Sequence, residues 1–232
     1  MRGRHGISVA AVGIAALSLL APGEAAAQAV PPAAQRDAGW GAVSDVSLAI
    51  SAVSLALTPR VYYSDPISTV GWKGRYHVSI LAPMMTMVAM SWLFDQPLKS
   101  AFQDPRPGCT LEQTNAQMSG CESFGLVSTH GMATASFAGV GLGVWLIDTF
   151  KYSDGRVHPA NLIGNVVLPL SATVVGSVAR GFENDGTVRG FEKPEQILAG
   201  AIPGFVIGTI TGLVYSSLQR PSCPYGDSLF CW

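Results

Sequence analysis

Five long apolar segments, separated by short polar loops, leave this chain few ways to fold. They cover residues 44–58, 77–96, 131–150, 160–180 and 195–218. Each must bury its apolar surface in a core or in lipid. Most approach the length of about 20 residues that crosses a bilayer as a helix. None alternates as a strand does, and no internal repeat stands out. Charged residues make up 12% of the chain and hydrophobic ones 48%, whereas an ordinary soluble domain carries about 25% charge. The expected fold class is all-α: a helical bundle, integral to a membrane, of about five helices. Glycines recur in the third segment (Gly139, Gly141, Gly143) and at four-residue intervals in the fifth (Gly204, Gly208, Gly212). That spacing lets helix backbones approach closely in lipid. The first segment is short for a span, which keeps open a soluble, all-helical periplasmic domain with an apolar core.

The N-terminus reads as an export signal over 1–27. "MRGRH" is the basic region, "ISVAAVGIAALSLLA" the apolar core, and "EAAAQA" a small-residue site cleaved after Ala27. An uncleaved first membrane helix is the alternative. A linker follows over 28–43, then the helical domain over 44–220 and a cysteine-containing tail over 221–232. With residue 40 outside, the loops 97–130 and 181–194 also lie outside. Arg60, Lys73, Arg75, Lys151 and Arg156 then fall inside, as the positive-inside rule expects. The expected location is a bacterial-type inner membrane. A net charge of −1 and the lack of a basic run argue against nucleic acid. The four cysteines form two local pairs, Cys109 with Cys121 and Cys223 with Cys231. An exported chain favours disulfides in both, although the second pair would face a reducing cytoplasm in this topology. No zinc-like spacing appears, and no metal or cofactor is expected.

The topology gathers three polar clusters on the outer side. Lys99 and Arg106 follow the second apolar segment, Ser128, Thr129 and His130 open the third, and Arg180 ends the fourth. Together they suit a tetrahedral oxyanion. The guanidinium of Arg106 can grip two oxygens and Lys99 adds a point charge. Ser128 and Thr129 offer hydroxyls and can cap a helix whose free N–H groups attract an anion. His130 titrates near neutral pH and can donate a proton to a leaving oxygen. Arg180 is a third cation. Taken singly, each has an ordinary reading as an interfacial anchor, a helix cap or a satisfied histidine; sidedness and spacing join them.

Lys99-x6-Arg106-Pro107, then Ser128-Thr129-His130, then Arg180 followed by a loop into "KPEQILAGA", resemble the signature motifs of the type 2 phosphatidic acid phosphatase (PAP2) and haloperoxidase superfamily, K-x6-RP, PSGH and SR-x5-H-x3-D. The likeness covers about 77–218. The first motif matches fully; in the second, Val127 replaces proline and Thr129 replaces glycine. The resemblance implies a helical bundle with its site at one end, and metal-free hydrolysis of phosphate esters through a phosphohistidine. Lys99, Arg106 and Arg180 would hold the phosphoryl group with help from Ser128, and His130 would be the general acid. The third motif departs from the pattern. Aligned on Pro194, Glu192 stands at the nucleophile position and Gln196 at the aspartate position, and the interval from Arg180 is six residues longer than the family's. Keeping the family spacing lands on Gly186 and Gly190. His130 is then the only histidine on the outer side.

A carboxylate is a weaker nucleophile at phosphorus than imidazole, and Gln196 cannot stabilise an imidazolium as aspartate does. Three functions follow as expectations. The first is a phosphate-binding membrane protein, its site facing the periplasm and its partner a phosphorylated lipid or other phosphate ester, impaired in hydrolysis. The second is a divergent phosphatase using His130 and Glu192. The third is a structural membrane subunit with a relic site.

Overall fold

A computed structural model describes residues 38–58, 74–118, 120–182 and 190–218. The expected signal over 1–27, most of the linker, Arg60, Lys73, Gly186 and the pair Cys223 and Cys231 lie outside the described residues. The elements are α1 (Ala38–Leu57), α2 (Gly74–Phe102), α3 (Leu111–Asn115), α4 (Thr129–Phe150), α5 (Pro159–Leu162), a π-helical turn (Ile163–Val167), α6 (Leu168–Gly181) and α7 (Pro194–Leu218). No strand occurs among the described residues. The π turn joins α5 and α6 into one rod, Pro159–Gly181.

Every apolar segment is helical, and the ends differ for physical reasons. α1 starts at Ala38, inside the stretch expected as linker. Trp40 stacks on Phe182 with ring centroids 4.4 Å apart. Gly41 leaves room for the Phe191 ring, one carbon of which would lie 3.0 Å from a Cβ there. α2 runs past 96 to Phe102 despite Pro83 and Pro97, so Lys99 sits in its last turn. Each proline removes one backbone hydrogen bond without ending the helix. α3 opens on a capping box between Thr110 and Gln113. That pattern is readable in "TLEQ", and the apolar-segment count passed over it.

The bundle has inside-out polarity. α1 buries Ser44, Ser47 and Ser51 and exposes Val46, Ile50, Val53 and Leu57. α7 buries Gly200, Gly204, Gly208 and Gly212 and exposes Ile202, Val206, Ile210 and Val214. Water would penalise such surfaces; lipid accommodates them, leaving small and polar groups to pack between helices. Four helices, Ala38–Leu57, Thr129–Phe150, Pro159–Gly181 and Pro194–Leu218, are long and apolar enough to cross a membrane. α2 is not among them; Asp95 and Lys99 sit in its last turns. This is a helical bundle of membrane-protein type, and α4 is its axis. Of the apolar window of α4, 72% is buried, against 22%, 33% and 28% for α1, the α5–α6 rod and α7.

α4 and α7 pack in parallel through glycine. A Cβ at Gly200, Gly204, Gly208 or Gly212 would meet the carbonyl oxygen of Ser128, Met132, Ser136 or Val140 respectively, at 2.2 to 2.4 Å. α4 reciprocates with Gly139, where a Cβ would lie 2.3 Å from the carbonyl oxygen of Phe205. The α5–α6 rod runs the other way along α4. Asn161 bonds Asp148 near one end, and Thr173 bonds the Thr134 carbonyl at 3.0 Å further along. The starts of α1, α4 and α7 therefore share one end of the bundle with the ends of α2 and α6.

At that end the loop after α2 is closed by the expected disulfide, Cys109–Cys121, with Cα atoms 5.8 Å apart. Cys109→Ser/Cys121→Ser is expected to lose about 3 kcal/mol, the chain-entropy value for a short loop. Thermal unfolding in detergent would show it, and dithiothreitol should lower the melting temperature of the parent protein but not of the double variant.

Candidate functional site

Consecutive residues at the start of α4 each bind a carboxylate from a different element. The Ser128 hydroxyl donates to Glu192 Oε2, ahead of α7. The Thr129 hydroxyl donates to Asp95 on α2. His130 Nε2 lies 2.9 Å from Asp45 Oδ1 on α1. The local sequence produces this. Ser128 is the N-cap and its Oγ accepts from the Gly131 N–H at 2.9 Å. Gly131 is needed there, since a Cβ would lie 2.9 Å from the Ile197 carbonyl oxygen and 3.0 Å from Ser128 Oγ.

Lys99, Arg180 and Lys193 are each tied to an acid. Lys99, buried in the last turn of α2, bonds Asp95 Oδ1 at 2.5 Å and Thr129 Oγ1 at 3.0 Å. Arg180 Nη2, in the last turn of α6, bonds Glu192 Oε1 at 3.0 Å, and its guanidinium sits 5.0 Å from the Phe191 ring centroid. The chain folds back on α6 there, with the Phe191 and Glu192 N–H groups donating to the Arg180 carbonyl at 2.8 and 3.2 Å. Lys193 Nζ bonds Asp104 at 3.0 Å. The sequence suggested a surplus of positive charge, but the structure nearly neutralises it. Buried charges are costly unless paired; Glu192 entered the motif reading only as the occupant of the nucleophile position, and Asp95 and Asp104 lay outside it. Asp95 carried a signal, being four residues before Lys99 on one helix; Asp45 and Asp104 carried none.

Glu192 is 2% exposed and Gln196 0%. Both oxygens of Glu192 are engaged, by Arg180 and Ser128. Gln196 Nε2 donates to Asp104 Oδ2 at 2.6 Å and to the Pro105 carbonyl at 3.0 Å. Its Oε1 accepts from the Lys193 N–H at 2.9 Å. Its backbone carbonyl accepts from Ser128 N–H at 3.1 Å. Gly125 makes room for this amide, since a Cβ there would fall 2.2 Å from Gln196 Oε1. Arg106 is half-buried on the same loop as Asp104 and Pro105, and its carbonyl accepts from the Cys109 N–H at 3.0 Å. Side-chain bonds thus join Lys99 to Thr129, and Arg180 and Glu192 to Ser128, while His130, next along the helix, bonds Asp45 instead; Arg106 reaches the same end on the loop that holds Gln196.

Among the described residues the other histidines lie elsewhere: His158 precedes α5 and His77 is in the first turns of α2, both at the opposite end. That end has its own buried polar cluster, which the sequence reading missed. Asp148 accepts from Asn161 Nδ2 at 3.2 Å, and Asn165, in the π turn, donates to Asn161. Among the described residues no group of three or more His, Cys, Asp or Glu side chains is placed to hold a metal ion.

Chemically, the start of α4 gathers two hydroxyls, helix N–H groups and two buried cations, with a partly exposed imidazole beside them. It can orient an oxyanion. It has no imidazole at the place where the PAP2 pattern puts its nucleophile. No protein-family model, curated protein or solved structure matches the chain, so the PAP2 likeness stands on the motif residues alone.

Proposed function

We propose that this chain is a PAP2-like membrane protein that binds a phosphate ester, carried by a lipid, at the periplasmic end of its bundle, without phosphohistidine turnover. One observation carries the reading. Lys99 and Arg180, far apart in sequence, flank the same helix start, Lys99 through Thr129 and Arg180 through Glu192 and Ser128. The loss of hydrolysis is supported by the replacement of the nucleophile and its partner by Glu192 and Gln196, both buried and hydrogen-bonded. The orientation is supported by the cations of the opposite loops.

The test is binding and turnover together. Inorganic phosphate or orthovanadate at a hundredfold excess over its dissociation constant is expected to stabilise the detergent-purified protein by about 2.7 kcal/mol. Arg106→Ala should remove the effect. Lysophosphatidic acid, prenyl pyrophosphate and p-nitrophenyl phosphate should not be hydrolysed. Absence of any oxyanion-dependent shift would overturn the proposal.

A second reading, a working divergent phosphatase, is favoured by the Asp45–His130 bond, which holds an imidazole as an acid–base catalyst is held. Turnover abolished by His130→Ala would establish it.

A further inference from the structure

The Glu192 carboxylate has the contacts an oxyanion would take. One oxygen accepts from Arg180 Nη2 at 3.0 Å and the other from the Ser128 hydroxyl. The same hydroxyl oxygen accepts from the first turn of α4. Arg180 is itself 7% exposed, and its Nε is buried without a hydrogen-bond partner among the described residues. One carboxylate oxygen thus reaches one guanidinium nitrogen, because the other is turned to Ser128. A tetrahedral anion presents more acceptor oxygens, so it can keep the Ser128 contact while two others engage the forked guanidinium.

We propose that Glu192 is an internal ligand of the oxyanion site, and that a phosphate or phosphate ester binds there by displacing its carboxylate from Arg180 and Ser128. This rests on the phosphate-binding reading above and adds how that site is regulated. In the unliganded protein the site is closed by its own chain, and the affinity seen from outside is the intrinsic affinity reduced by the fraction of molecules in which Glu192 has withdrawn. The exchange makes and breaks no covalent bond. Two contacts to the carboxylate are given up, and the same donors close on the incoming oxyanion. The arrangement also accounts for the burial of a carboxylate at a position where no imidazole remains: it neutralises Arg180, which would otherwise be an unpaired charge in a buried place.

The experiment compares the parent protein with Glu192→Gln, which keeps shape and loses charge, and Glu192→Ala, which empties the position. Each is titrated in detergent with inorganic phosphate, orthovanadate and lysophosphatidic acid, with acetate as a planar control. Folding is followed by circular dichroism and melting temperature. Both variants are expected to melt lower than the parent without anion and to recover with phosphate or vanadate, and their apparent affinity should rise by about tenfold or more. Lysophosphatidic acid outdoing inorganic phosphate would make the ligand a lipid headgroup; the reverse would make it the free ion. Equal affinity in all three proteins overturns the internal-ligand proposal and leaves phosphate binding standing. No binding by any of them overturns both. Recovery by acetate equal to that by phosphate overturns the tetrahedral site, because the pocket is then matched to a carboxylate. A Glu192→Gln protein that stays unfolded at saturating oxyanion also counts against displacement, since the anion should replace the lost charge.

Discussion

Gly208→Val is expected to prevent the bundle from assembling. A Cβ at position 208 would lie 2.2 Å from the Ser136 carbonyl oxygen and 2.9 Å from the Ser136 Cα. Those are backbone atoms of a helix that is itself the axis of the fold, so no side chain can swing aside. α7 would have to move away from α4, and its neighbouring contacts at Gly204 and Gly212 would open with it. Overpacking against movable side chains costs about 1–3 kcal/mol; a main-chain collision belongs at or above about 4 kcal/mol, among the largest effects of a single substitution. The measurement is the yield of monodisperse protein in detergent and its melting temperature. Ile202→Ala on the lipid-exposed face of the same helix is the control, and should stay within about 0.5 kcal/mol of the parent. A Gly208→Val protein that purified and melted like the parent would mean that α4 and α7 do not meet as described.

Arg180→Met is expected to destabilise by about 3–5 kcal/mol, because Glu192 would be left as a buried, uncompensated charge. The pair Arg180→Met/Glu192→Met should recover most of that loss, since replacing a whole buried ion pair by apolar groups of similar volume is often neutral. The double-mutant cycle isolates the coupling. A double variant no more stable than Arg180→Met alone would show that the charge on Glu192 is not what the substitution exposes. This prediction is independent of any ligand.

Much of the architecture was legible because it depends on local pattern. The length and composition of each apolar run set a helix, and the positions of Pro194 and Ser128 marked two helix starts to within a residue or two. The four-residue glycine interval in the fifth run anticipated a close helix contact, and α4 is the helix it meets. The pairing of Cys109 with Cys121 was readable from their short separation. The start of α1 before residue 44 was not legible: Trp40 there meets Phe182, which follows α6 more than a hundred residues on. Two partners of the site's side chains were equally hidden. Asp45 and Asp104 belong to no motif and became relevant only once their helices and loops were packed together, whereas Asp95 sits one turn before Lys99 on the same helix.

By itself the sequence determined the helices, their order, and which helix ends share a side. An apolar run of given length has one favourable backbone solution in lipid, and an up-and-down path then sorts loops to alternate ends. That is enough to bring Lys99, the start of α4 and Arg180 to one end. Only the tertiary structure decided how the charges there are balanced. Ion pairs and hydrogen bonds act over a few ångströms between residues distant along the chain. It is at that scale that Glu192 lies against Arg180 and Ser128, and that Asp95 meets Lys99 and Thr129.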